Sequence, residues 1–269
     1  MNKKLLLLTL ISLLLLAACS REPSWEDETV EEVSTRIMAD DVNVAWTLED
    51  SDAPEAEGSK RIRLAIAKRD GTPIESFDLN HEKLLHLIIV SKDLSYFNHI
   101  HPEYKGGGVF EIDNAFPAGG QYRMIADFTP ADGDDMTKLE WMEVRGAAAD
   151  PVPVVPGGTL TGTDGGTRVT LAADKLAAKE NVTLTFTLSD AAGGQPVTDL
   201  EPYLGAIGHV VILSEDGNRY VHVHAEEGQG SGPEAVFEAT FPGSGVYKIW
   251  GQFQRSGKVL TVPFVVAVE

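Results

Sequence analysis

The stretch HVVILSEDGNRYVHVH, residues 209–224, reads as two strand-like segments on either side of Asp216-Gly217. Asp-Gly between such segments is the strongest short-range hairpin signal. A two-residue turn pairs Glu215 with Asn218 and sets His209 opposite His224, with His222 diagonal to it. A four-residue loop, Ser214–Gly217, sets His209 opposite His222 instead. Opposed residues share a face and side chains alternate along a strand, so either register projects three imidazoles from one face. The separations from His209, 13 and 15 residues, are odd, as an even-loop hairpin requires.

The same spacing occurs in HLIIVSKDLSYFNHIH, residues 86–101, and the two stretches hold six of the seven histidines. SKDLSYFN has no Asp-Gly, so the first hairpin rests on the repeat. The repeat extends further: Val109–Phe128 aligns with Val236–Phe253 after a two-residue gap, matching Phe110 to Phe237, Tyr122 to Tyr247 and Phe128 to Phe253. Self-similarity at this scale marks a duplicated domain.

Alternation recurs in RIRLAIAKR (61–69), QYRMIADF (121–128), VTLTFTLSD (182–190) and VYKIWGQFQ (246–254). Turn signals such as Asp70-Gly71 and Gly193-Gly194 separate such runs, and helical periodicity is nearly absent outside the leader. The expected fold is all-β: two tandem immunoglobulin-like β-sandwich domains. Residues 41–147 form the first and 166–269 the second, joined by a Gly/Pro/Ala/Thr-rich linker over 148–165.

Residues 1–18 read as a secretory leader: Lys3 and Lys4, an apolar run, then Leu16-Ala17-Ala18-Cys19. The run is too short for a membrane span, which needs about 20 apolar residues. Leu-Ala-Ala-Cys resembles the bacterial lipobox, which makes Cys19, the one cysteine of the chain, the lipidated first residue of the mature protein. Residues 19–40 are expected to be an acidic flexible tether. The expected location is therefore the bacterial cell envelope, with the folded part outside the cytoplasm and the membrane as partner through the lipid. Losing Lys3 and Lys4 with the leader takes the formal charge from −19 to −21. A chain so acidic is not a nucleic-acid binder, because phosphates need Lys and Arg.

The candidate metal ligands are His86, His99 and His101 in one half and His209, His222 and His224 in the other. Three neutral imidazoles with an open position suit copper(II) or zinc(II), with copper(II) favoured on affinity alone. Glu103 and Glu226 each follow the last histidine by two residues, as a further ligand or as an acceptor orienting an imidazole. His81 has no matching histidine in the second half and is expected on the surface. Gly205 and Gly208, in LEPYLGAIGH, are expected to allow close backbone approach before His209.

HLIIVSKDLSYFNHIHPE and LEPYLGAIGHVVILSEDGNRYVHVH resemble segments of bacterial secreted proteins and lipoproteins with YtkA-like and CopC-like immunoglobulin-type domains. That resemblance implies copper handling in the envelope, with an envelope metal-handling protein as partner. CopC-type proteins use a histidine near the mature N-terminus and often a Met-rich loop. This chain has neither, its five methionines being scattered, which favours a His-only copper(II) or zinc(II) site over copper(I).

The leading expectation is a non-catalytic metal-binding lipoprotein with one three-His site per domain, for storage, delivery or sensing; a mixed site shared between the domains is a variant. The alternatives are a metal-free surface adhesion or assembly module and, further off, a zinc-dependent hydrolytic enzyme. Against the enzyme, the chain has no G-x-S-x-G or H-E-x-x-H motif.

Overall fold

The computed structural model describes residues 36–51, 59–157 and 159–269. The leader, Cys19 and most of the expected tether lie outside them. The first half contains β1 (Val42–Asp50), β2 (Ser59–Lys68), β3 (Phe77–Asp78), β4 (Leu85–Ser91), β5 (Phe97–Ile100), β6 (Glu103–Gly106), β7 (Val109–Ala115), β8 (Gly120–Pro130) and β9 (Met136–Val144). The second contains β10 (Thr161–Asp164), β11 (Thr167–Ala173), β12 (Asn181–Asp190), β13 (His209–Ser214), β14 (Tyr220–Val221), β15 (Val223–Ala225), β16 (Glu234–Thr240), β17 (Gly245–Arg255) and β18 (Lys258–Val268).

In the first half one sheet runs β1-β2-β7-β6; in the other, β8 lies between β9 and β4, with β5 outside β4. In the second half the sheets run β10-β11-β12-β16-β15 and β14-β13-β17-β18. Apart from the short β3 and the added β10, each half repeats the A-B-E-D and C′-C-F-G strand order of an immunoglobulin sandwich. The chain is thus two tandem immunoglobulin-like β-sandwiches.

Alternation builds each core. On β2, Ile62, Leu64 and Ile66 are at most 1% exposed while Arg61, Arg63, Ala65 and Ala67 face outward. The strands β4 and β13 do not alternate: LHLIIV is buried throughout and HVVILS nearly so. Leu85, Leu87 and Ile89 enter the first core and Val210 and Ile212 the second. The opposite faces, carrying Ile88, Val90, Val211 and Leu213, join Leu94, Ile125 and Trp250 in a third apolar cluster between the sandwiches. Phe97 stacks on Trp250 there, with ring centroids 4.7 Å apart. Burial on both faces explains an unbroken apolar run, as in strands covered on both sides.

The contact between the halves is reciprocal. Ile88 and Val211, Val90 and Leu213, and Ile125 and Trp250 are counterparts in the repeat, and all six lie in the shared cluster. His86 stacks on its own counterpart His209, the ring planes 6° from parallel and the ring centroids 5.7 Å apart. The duplicated domains therefore pair about an approximate twofold, as the subunits of a homodimer do.

Two expectations about boundaries are corrected. Residues 36–40, assigned to the tether, are docked: Ile37 N donates to Asp132 O at 3.1 Å and Arg36 pairs with Asp134. The strand β10 occupies the end of the expected linker 148–165. Within that linker, Val154 packs on the shared cluster and Val152 N donates to Asp93 Oδ2 at 2.8 Å.

Candidate metal centre

In β13 and β14 the pairs are Ile212–Val221 and Leu213–Tyr220, the register of the two-residue-turn reading. In β4 and β5, Leu87 pairs with Ile100 and Ile88 with His99. SKDLS, which lacks the Asp-Gly signal, builds the same turn as SEDGN. Ser91 and Ser214 hydroxyls donate to Asp93 and Asp216, and Leu94 and Gly217 take φ values of 58° and 69°. Leu94 holds this left-handed conformation with its side chain wholly buried between the sandwiches. Packing there offsets a cost that glycine does not carry.

The two copies then diverge. In the first, β5 extends to Ile100 and the chain crosses to the other sheet only at Glu103, so His99 and His101 stay beside His86. In the second, β14 ends at Val221 and β15 begins at Val223 in the opposite sheet, so the chain crosses at His222. Pro102 helps to hold the first crossing late: it has no N–H for a ladder, whereas its counterpart Ala225 pairs with Phe237.

The first triad assembles. One ligand nitrogen from each of His86, His99 and His101 lies within 4.8 Å of the others, and among the described residues this is the group of that kind. His209 does not form a triad with His222 and His224 but joins the first cluster, its ring 4.9 Å from that of His99. The three-His cluster expected in each half is thus found in the first, while in the second His209 lies beside that first cluster and apart from His222 and His224. His81, expected on the surface, is half-buried beside His209 and His86, at 5.6 and 6.1 Å. Glu103 is exposed and pairs with Lys105 at 2.5 Å, and Glu226 is exposed. Gly208 is where close approach is needed, since a Cβ there would lie 2.7 Å from Gln252 O and from the Phe253 ring.

Hydrogen bonds fix the tautomers. His86 Nε2 lies 2.8 Å from the carbonyl of Asn80, which only accepts, so Nε2 carries the proton and Nδ1 is bare. His99 Nδ1 donates to Gln252 Oε1 at 2.8 Å, the amide being oriented by its Nε2 donating to Thr261 Oγ1 at 3.2 Å. His99 Nε2 is therefore bare as well. These two bare nitrogens face each other at 3.0 Å, and His101 Nε2 is 3.2 Å from His86 Nδ1. Two lone pairs at hydrogen-bond distance repel unless a cation sits between them.

A proton does not fill that role at neutral pH. Burial lowers His86 and His101 to about 4, and burial with the neighbouring His86 lowers His99 to about 3. His209 is also held well below its ordinary value, first by burial and then by His99 and His86. A tetrahedral metal bound at about 2.0–2.1 Å sets its nitrogen ligands roughly 3.3 Å apart, close to the spacing found. His101 also lines a cavity of about 500 Å³, together with Arg61, Glu103 and Glu111.

A family described as a domain of unknown function, DUF8832, matches residues 37–146 and again residues 161–269. The chain belongs to the DUF8832 family. The two matched segments bracket the two sandwiches, so each is one DUF8832 unit. No curated protein matches the sequence. Among solved structures, the Escherichia coli adhesin FdeC is 19% identical over 86% of this chain, with a TM-score of 0.27. The chain spans 65% of that protein's length. The D00-D0 domain of intimin is 14% identical, covering 85% of this chain and 99% of its own, with a TM-score of 0.26. The titin immunoglobulin tandem A164-A165 is 10% identical, covering 85% and 95%, at 0.20. Overlaps this loose carry no argument about function.

Proposed function

We propose that the protein is a cell-envelope metal-binding protein, lipid-anchored through Cys19, that holds one copper(II) or zinc(II) ion between its two sandwiches. The observation that carries this reading is the pair of bare nitrogens, His86 Nδ1 and His99 Nε2, facing each other at 3.0 Å. His101 supplies the third donor and His209, from the other half, closes the cluster. The donors are neutral, and His86 and His99 are at least 92% buried. Such a set holds an ion for storage, delivery or sensing rather than presenting it to a substrate. The partner is an envelope protein that supplies or receives the ion.

The test is thermal unfolding with and without copper(II) or zinc(II), since a ligand bound only by the folded state raises the melting temperature. A rise is expected, saturating as the site fills. Gln252→Leu keeps a buried side chain of similar size but no longer fixes the His99 tautomer. It is expected to weaken binding about 10–100-fold, the usual effect of losing a group that orients a metal ligand. A melting temperature indifferent to both metals would discard this reading in favour of an adhesion or assembly module.

A further inference from the structure

His222 and His224 are left outside the cluster just described, and His222 faces a different group. Their rings lie 4.6 Å apart where the chain crosses between sheets. Opposite His222, on β8 of the first sandwich, is Asp127, only 5% exposed, with Oδ2 3.9 Å from His222 Nδ1. That distance is too long for a hydrogen bond. The bond that Thr137 donates to Asp127 Oδ1 is itself long, 3.3 Å. A buried carboxylate so weakly served calls for a cation.

The repeat explains why the two clusters differ. Across neighbouring strands His86 pairs with Asp127, and its counterpart His209 pairs with Gln252. His99 against Gln252 and His222 against Asp127 are therefore the two halves of one reciprocal contact. In the first, an amide orients an imidazole. In the second, a carboxylate takes the same place, and a carboxylate is itself a metal ligand.

His81 points to the same place. The turns Asn80–Lys83 and Tyr203–Ala206 are counterparts, each closed by two backbone hydrogen bonds. His81 and Glu82 have φ values of 46° and 65°, and Leu204 and Gly205 have 55° and 78°. Left-handed backbone at two consecutive residues is ordinarily left to Gly, Asn or Asp. Here it sets an imidazole at the edge of the interface, where His81 and His224 line one cavity of about 660 Å³. Glu201, Glu226 and Glu227 line it too, an acidic approach that attracts cations.

We infer that Asp127 and His222 seat a second ion, a divalent first-row transition metal, with His224 and His81 at its mouth as further donors. Two imidazoles and a carboxylate are a harder set than three imidazoles and suit zinc(II), iron(II) or manganese(II). The site uses no residue of the His86–His99–His101 triad, so each stands or falls separately.

The experiment is equilibrium dialysis of the purified protein against zinc(II), with the bound metal counted. The wild type is expected to hold two ions, and His222→Ala, His99→Ala and the double variant to hold one, one and none. The His222 side chain is 38% exposed, so its removal leaves the cores intact. Asp127→Asn, nearly isosteric, is expected to lose the same ion as His222→Ala. One ion lost in His222→Ala but kept in His99→Ala would support this site and remove the first. Retention of two ions by both His222→Ala and Asp127→Asn would overturn the proposal. So would a single wild-type ion lost in His99→Ala, whether or not His222→Ala also loses it.

Discussion

His99→Ala is expected to weaken zinc(II) or copper(II) binding at the interdomain triad by more than about 100-fold, or about 2.7 kcal/mol. Removing a ligand should exceed the effect of removing a group that only orients one. His99 is the central donor: its Nε2 faces His86 Nδ1 at 3.0 Å while its Nδ1 is tied to the other sandwich through Gln252. Stability should respond asymmetrically. In the metal-free protein the variant leaves a small cavity and an unpaired Gln252 Oε1, but it also removes the repulsion between two bare nitrogens. With metal it loses the bound ion. The drop in melting temperature should therefore be much larger with saturating metal than with a chelator. Equal drops in the two conditions would mean that His99 is only a packing residue.

Acid should unfold the metal-free protein progressively as the pH falls from about 6.5 toward 4. The native values for His86, His99 and His101, about 4, 3 and 4, lie below the 6.5 of an unfolded imidazole. In that window the unfolded chain binds protons that the native state refuses, so stability is full above 6.5 and is lost through the native values. Each such group contributes on the order of 1 kcal/mol per pH unit. His209, His81 and His222, also lowered chiefly by burial, act in the same direction. Asp127 acts in the opposite one. Burial raises it to about 6, so between 3.8 and 6 the native state holds a proton that the unfolded chain lacks, and this offsets about one histidine. Urea unfolding midpoints measured in chelator at pH 7.5, 5.5 and 4.5 should fall steeply. Midpoints that do not change over this range would mean that the histidines are solvated, not buried.

Much of this was legible in the sequence because parity and turn chemistry are local. Asp216-Gly217 fixed the second hairpin, and the Ile212–Val221 pair keeps its register. The odd separations did place His86, His99 and His101 together. What the sequence withheld depends on partners far along the chain. The unbroken apolar runs of β4 and β13 carried a signal of burial on both faces, and that signal was readable in HLIIV and HVVIL. Which surface would cover the second face was not readable. The early crossing at His222 was hidden as well, because pairing with β16 rather than local propensity decides where β14 stops. Leu94 could not be recognised as a stand-in for Gly217, since only burial between the sandwiches holds it in a glycine-like conformation. The burial of His81 was hidden for a related reason: its turn, Asn80–Lys83, lies beside His209 of the other half, a partner far along the chain.

The central claim is that a metal ion occupies the space between three imidazoles whose tautomers are set by Asn80 and Gln252. Anomalous diffraction from crystals grown with zinc(II), collected on both sides of the zinc edge, tests it most directly. The predicted result is an ion about 2.0–2.1 Å from His86 Nδ1, His99 Nε2 and His101 Nε2, with His86 Nε2 still donating to the Asn80 carbonyl. An ion bound through His86 Nε2, or zinc found elsewhere while this cluster stays empty, would contradict it.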